Sequence, residues 1–375
     1  MVKSSESSGK FCYNIKQGIK IRSDVRLSEL EYFRTQKVSS PDLIIQVSSR
    51  LKQHGQPNVK IDGKMLTYQQ GISPVNSSFS IFMSDPLEVS ISALLASSPH
   101  VLYVNLVEPL LRFIFASKGL LLLHSACIKL SGRGVILSSK TDTGKTSTIL
   151  KIMSRERTPF LSDDMTIIDP AGVAYPFPKT LTVSFHTLKS INIKMNLLRK
   201  LFLIIRSSVH SRTGRKILKK LGKLPFNILT INSLAQMIIP PPKFGIKELI
   251  PDAEIPDQTK IHELFVLQRG LKKVITPLSR DQSVDILLKN NDDAYSTPPF
   301  NLWAPHLKIG SQTYAQLKEQ ERAILTKVLD GVERTLVQVP DMSWATLIPQ
   351  LVRSRAEETL VEAAPDQSIM LPEGA

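Results

Sequence analysis

Apolar and polar residues alternate in short runs over the first quarter of the chain. Phe11-Cys12-Tyr13-Asn14-Ile15, Leu43-Ile44-Ile45-Gln46-Val47 and Ser78-Phe79-Ser80-Ile81-Phe82 are three such runs. A two-residue period is that of a strand with one buried face. Turn signals at Asp62-Gly63 and Ser73-Pro74 separate the runs. Residues 10–100 therefore predict a small β-rich, α+β domain. The polar residues 1–9 predict a disordered leader.

The period then changes. Leu106, Leu110, Leu111, Phe113 and Ile114 recur at helical spacing and predict a helix from Leu106 to Ser117. Two strands are predicted next, Leu121–Leu130 and Gly134–Ser138, joined through Ser131-Gly132-Arg133-Gly134. A glycine-containing loop leads into a predicted helix, Lys145–Met153. A strand from Pro159 to Ser162 ends on Asp163-Asp164, and Met165–Ile168 continues as another. Strand, loop, helix and strand in this order predict an α/β nucleotide-binding core. Residues from His186 to Lys223 read as one or two basic helices interrupted near Gly214, and Ile239-Pro240-Pro241-Pro242 breaks the pattern. His262–Gln268 returns as a strand. Tyr314–Arg353 reads as helical with a break at Pro340, and the tail after Ala364 reads as loose chain. The expected organisation is an α/β unit over 101–310, with a basic helical insertion at 186–250, and a C-terminal helical extension and tail over 311–375.

Composition adds three constraints. A hydrophobic fraction of 42% over 375 residues suits two globular domains with extensions. Two cysteines, Cys12 and Cys127, exclude a disulfide framework or a four-cysteine metal site. They read as buried reduced thiols of a cytosolic protein. The longest apolar stretch, Val101 to Leu123, carries Glu108, Arg112 and Lys118, too much charge for a membrane span. The N-terminus lacks the apolar run of a secretory signal, so the expected location is the cytoplasm.

The net charge of +15 is concentrated. Pro170 to Lys247 contains no Asp or Glu and holds 14 Lys or Arg, nearly the whole excess. From Lys189 to Lys223 the basic residues interleave with apolar ones such as Leu197, Leu198, Ile217 and Leu218, a basic amphipathic pattern. Three readings stand: a solvated face of a helical insertion, peripheral contact with an anionic membrane surface, or contact with nucleic acid or an acidic protein. No RNA-binding motif and little aromatic interleaving are present, which argues against sequence-specific nucleic-acid recognition.

The chemistry concentrates in Ser139-Lys140-Thr141-Asp142-Thr143-Gly144-Lys145-Thr146, followed by Ser147. It fits the phosphate-binding pattern G-x-x-x-x-G-K-[ST], with Ser139 in place of the first glycine. Backbone N–H groups of such a loop point at phosphates. Gly144 permits the tight turn, Lys145 supplies a charge near the β- and γ-phosphates, and the Thr146 hydroxyl is a Mg²⁺ ligand. The expected ligand is ATP, or another nucleoside triphosphate, with Mg²⁺. An isolated Gly-Lys-Thr also occurs in exposed turns, but here a strand precedes it and a helix follows. Asp163 and Asp164 end a strand, where open α/β sheets bind ligands. One carboxylate suits Mg²⁺ and the other suits a proton from an attacking hydroxyl. The alternative is an acidic pair capping a turn.

Taken in order, His124-Ser125-Ala126, Gly134-Val135-Ile136-Leu137, Gly144-Lys145-Thr146 and Ser162-Asp163-Asp164 resemble the catalytic domain of the HPr kinase/phosphorylase family. The resemblance covers Leu121 to Asp169, and more loosely Tyr175-Pro176-Phe177-Pro178-Lys179 and His262–Gln268. Ile21-Arg22-Ser23-Asp24-Val25-Arg26-Leu27 resembles the leader domain of divergent members. It implies an α/β P-loop kinase core related to HPr kinase and phosphoenolpyruvate carboxykinase, and phosphate transfer from ATP to a serine hydroxyl of a protein or peptide. It implies that Lys145 and Thr146 bind phosphate and Mg²⁺, that Asp163 or Asp164 acts as base and metal ligand, and that His124 lies beside the phosphates. Family members often form homo-oligomers. Two departures are visible: Ser139, and the lack of the family's acidic-arginine-glycine signature where the acid-free segment runs instead. A non-catalytic nucleotide-binding regulator or scaffold therefore stands as the alternative. A basic helical protein with a coincidental loop is the third reading.

Overall fold

A computed structural model describes the chain apart from residues 1–9, 17, 50, 52–56, 70, 73–74, 184–186, 189–227, 239, 241, 296–297 and 364–375. The expected leader, the tail after Ala364 and the basic run Lys189–Lys223, with its expected surface partner, lie outside the described residues. The described part is a mixed α/β structure with two large sheets.

The alternating runs at the start form the first sheet. Its eight strands lie in the order Arg34–Thr35, Phe11–Ile15, Ile19–Ser23, Leu43–Val47, Leu87–Ile91, Phe79–Phe82, Met65–Gln69 and Asn58–Asp62. Leu43–Val47 runs parallel to both of its neighbours. Register carries one buried row across the sheet: Ile45 opposes Val89, Val89 opposes Ile81, and Ile81 opposes Leu66. Each of these side chains is buried, as the two-residue period requires.

The second sheet has nine strands. Its centre is the long strand Thr259–Arg269, parallel to Arg133–Ser138 on one side and to Glu333–Val339 on the other. Ala126–Leu130 pairs antiparallel with both Arg133–Ser138 and Phe160–Ser162, so those two run in the same direction. Gly134 is required where two backbones meet, because a Cβ there would collide with the Lys260 carbonyl. The helix Lys145–Arg155 buries Ile149, Leu150, Ile152 and Met153 against Val135, Leu137 and Phe265 of this sheet.

Two readings from periodicity are corrected. The expected strand Leu121–Leu130 is two strands, Leu121–Leu123 and Ala126–Leu130, which pair with different partners. His124 and Ser125 form the break, and Ser125 hydrogen-bonds Thr166 across it at 2.9 Å. The stretch Tyr314–Arg353 contains the helix Tyr314–Val328, the strand Glu333–Val339 and part of the helix Trp344–Ala363. Glu333–Val339 alternates in burial, and Thr335, Val337 and Val339 point inward. Pro340 follows that strand directly, so it ends a strand and not a helix.

The helix Glu108–Ser117 is buried on nearly every side. One core cluster joins the first sheet, through Tyr13, Ile45 and Phe79, to this helix and to Phe177, Tyr295 and Trp303 of the larger unit. Both cysteines are free and buried, and burial pushes the Cys127 thiol up in pKa. Among the described residues no helix is long and apolar enough to cross a membrane.

Candidate functional site

Arg133–Ser138, Phe160–Ser162, Thr259–Arg269 and Glu333–Val339 all finish at one edge of the second sheet. The segments that leave them there enclose a cavity of about 570 Å³. Each residue from Ser139 to Ser147 lines it, together with His124, Asp163 and Asp164. The residues singled out from sequence are thus brought to one place.

The loop between Ser138 and Lys145 explains its own composition. Its left-handed positions are Asp142, at φ 64°, and Gly144, at φ 125°. Ser139 is not among them, so the missing first glycine is no conformational obstacle. The angle at Gly144 is what requires glycine; a Cβ there would also push aside Met342 Cε, the end of a flexible side chain. Lys140, Thr141 and Asp142 are exposed, whereas Lys145 turns inward and is buried.

Among the buried polar atoms of this cavity wall without a hydrogen-bond partner among the described residues are two on charged groups, Lys145 Nζ and Asp163 Oδ1. Burial pulls the Lys145 ammonium down in pKa, against the pull of Asp164 and Asp163. Burial pushes the Asp163 carboxyl up, against Lys145. The other oxygen of Asp163 accepts a 2.6 Å hydrogen bond from Thr146 Oγ1.

Asp164 differs sharply from its neighbour. Its backbone is left-handed, at φ 77°. Oδ1 lies 3.1 Å from His124 Nε2, and Oδ2 accepts from Lys179 Nζ at 2.6 Å. Its side chain is 46% exposed, into the cavity it lines. Burial would raise its pKa, but Lys179 and then His124 outweigh that and hold it well below the usual carboxylate range.

His124 is oriented from behind. Its backbone N–H donates to Asn291 Oδ1 at 2.8 Å, and Nδ1 lies 3.1 Å from the Asn290 carbonyl. Both the Asn290 carbonyl and the Asp164 carboxylate accept, so the ring presents one nitrogen to each of two acceptors. Asn290 also donates to Ser138 Oγ at 3.1 Å. Both asparagines sit near the end of the helix Arg280–Asp293. They were not legible in sequence, because no local motif links them to His124.

Sequence reasoning also missed the wall opposite the loop. Glu29 of the first sheet's unit lines the cavity beside His100 and Tyr103. Its Oε1 lies 2.6 Å from His100 Nδ1 and also takes the Lys243 ammonium. Burial pushes the Glu29 carboxyl up, but His100 and Lys243 more than offset it and hold it at about 2. Arg269 and Met342 complete the rim, and Arg269 Nε donates to the Thr143 carbonyl at 3.0 Å.

No family model matches this chain, and no curated protein matches it in sequence. Among solved structures it is similar to the HPr(Ser) kinase/phosphatase from Coxiella burnetii, at 9% identity and a TM-score of 0.28. The alignment covers 64% of this chain and 98% of that one.

Proposed function

We propose that this chain is a Mg²⁺-dependent phosphotransferase of the P-loop class, an HPr-kinase-like serine kinase that moves the γ-phosphoryl group of ATP to a hydroxyl of a protein or peptide. The observation that carries the reading is the pair of unpartnered buried atoms, Lys145 Nζ and Asp163 Oδ1. An ammonium held away from water without a partner costs several kcal/mol. A triphosphate beside Lys145 would supply its missing acceptor, and a cation beside Asp163 would supply the missing partner of Oδ1.

The donor set suits Mg²⁺, which binds through one or two carboxylates plus phosphate oxygens and keeps several waters. Thr146 and Asp163 would hold it, with Asp164 near, and it would neutralise charge on the phosphates. Among the described residues no group of three or more His, Cys, Asp or Glu side chains could hold an ion by itself. The backbone of Ser139–Ser147 and the N-terminus of the Lys145 helix would cradle the phosphates. In the transfer, the acceptor oxygen forms a bond to the γ-phosphorus as the bond to the bridging oxygen breaks. ADP leaves, and the hydroxyl proton passes to Asp164, which His124 orients. A carboxylate of low basicity suits a loose transition state that needs its proton removed late.

The test is a thermal-shift titration followed by a transfer assay. Mg·ATP at about 100 times its dissociation constant should add roughly 2.7 kcal/mol of stability. Lys145→Ala should lose that shift, and Asp164→Asn should keep it while losing transfer to serine peptides. Absence of any shift for the wild type would sink the reading. One observation favours the nucleotide-binding regulator instead: both oxygens of Asp164 are engaged, by His124 and Lys179. A regulator would show the shift with no transfer to any acceptor and no ATP hydrolysis.

A further inference from the structure

Lys179 lines the same cavity, yet the loop and the paired acids do not call for it. Its ammonium lies 2.6 Å from Glu108 Oε2 and 2.6 Å from Asp164 Oδ2, and its side chain is only 8% exposed. Glu108 is fixed in turn, since the Tyr295 hydroxyl donates to its other oxygen at 3.1 Å. The ammonium stands over the Tyr103 ring, 5.6 Å from its centroid. Tyr103 begins a π-helical stretch, Tyr103–Val107, that runs directly into Glu108. Such stretches are rare and gather at functional sites. The result is one row of charge-assisted hydrogen bonds: Tyr295, Glu108, Lys179, Asp164, His124 and the Asn290 carbonyl.

A buried row of charges is a poor stabilising device. Apolar side chains of the same volume would pack as well without the desolvation cost. The row does something apolar packing cannot. Asp164 holds a left-handed backbone, and strained conformations persist only where their surroundings over-determine them. With His124 on Oδ1 and Lys179 on Oδ2, the carboxylate is held at both oxygens.

We propose that Lys179 is a positioning residue of the transfer site: anchored by Glu108, it holds the Asp164 carboxylate in the orientation that receives the acceptor proton. This rests on the phosphotransferase reading above. Lys179 acts through Asp164 and need not touch the nucleotide, so its loss falls on turnover and not on Mg·ATP binding.

Three variants separate positioning from structure. Lys179→Met removes the charge and leaves Glu108 unpaired, so the protein itself is destabilised. The double variant Lys179→Met/Glu108→Gln removes both charges and should regain most of the wild-type melting temperature. Lys179→Arg keeps a cation between the carboxylates. The expected result is a Mg·ATP thermal shift within about threefold of wild type in apparent affinity for all three, and a kcat about a hundredfold lower in Lys179→Met and in the double variant. Lys179→Arg should recover part of that loss. A double variant with restored stability and wild-type kcat would overturn the proposal and leave Lys179 a structural residue. A double variant that loses the Mg·ATP shift would also overturn it, by making Lys179 a binding residue. If the wild type binds Mg·ATP but neither transfers nor hydrolyses, the phosphotransferase reading has failed, and the proposal falls with it.

Discussion

Asp163 and Asp164 are adjacent in the chain and opposite in situation. One has an oxygen with no hydrogen-bond partner among the described residues, and the other has both oxygens engaged. Asp164 is also the left-handed one of the two, at φ 77°. Lys145 is the third party, a buried ammonium with no hydrogen-bond partner among the described residues, drawn toward both carboxylates. Lys145→Met should therefore stabilise the ligand-free protein by about 1–3 kcal/mol while abolishing stabilisation by Mg·ATP. Urea melts with and without Mg·ATP measure both effects, and a destabilised Lys145→Met would contradict the account. Glu29 contributes to acid behaviour. Its folded pKa of about 2 lies below the ordinary 4.5, so its stabilisation is present above about pH 4.5 and is lost as pH falls toward 2. The contribution is on the order of 3 kcal/mol for a group this buried. Denaturant melts at pH 5 and pH 3 should differ less in Glu29→Gln than in the wild type.

At the scale of elements, the helix Lys145–Arg155 depends on how it starts. Gly144 stands just before it at φ 125°, against Met342. Gly144→Ala should cost about 1–2 kcal/mol from the backbone angle alone. It should also weaken Mg·ATP binding, because the loop N–H groups move. Adding Met342→Ala relieves the collision but not the angle, so recovery of stability should be partial; full recovery would show that sterics alone matter. The helix Tyr314–Val328 starts on a capping box formed by Thr313 and Gln316. Here the local sequence contains the whole signal, as it does at Ser279 and Gln282. The strand Glu333–Val339 is the contrary case. Its alternation is plain in burial, but it lies between two helices, and its place between Thr259–Arg269 and Val274–Pro277 comes from pairing distant in sequence.

For the whole molecule, one core cluster has members on both sides of residue 100. Phe79 of the first sheet meets Trp303 at 6.1 Å, edge to face, inside a cluster that also holds Phe177 and Leu317. The other tryptophan, Trp344, sits in the separate core beneath the loop, with its Nε1 donating to the Val337 carbonyl at 2.8 Å. Each tryptophan thus reports on one core. Fluorescence of Trp303→Phe and Trp344→Phe should give coincident urea transitions that also match far-UV circular dichroism. Midpoints separated between the two variants would mean independent units. Arg112 ties the same assembly together. It is fully buried and bonds both oxygens of the fully buried Glu321, at 2.6 and 2.7 Å. Arg112→Met leaves that buried carboxylate to Lys318, 3.3 Å from its Oε2, and should cost about 3–5 kcal/mol, while Arg112→Met/Glu321→Leu should recover most of it.

Features that depend on neighbours along the chain were readable before any folding. The strand period of Phe11–Ile15 and Leu43–Val47, the turn at Gly132, the Gly144-Lys145-Thr146 loop between a strand and a helix, and the acids ending the next strand were all legible. Each is fixed by local sterics, hydrogen bonding or periodicity. Tertiary structure alone decided which side chains complete the site. Lys179 bridges to Glu108, Asn290 and Asn291 orient His124, and Glu29 closes the far wall, each from a distant part of the chain. No periodicity encodes such meetings, because they follow from how strands order in the sheet and from which backbone turns a carboxylate inward.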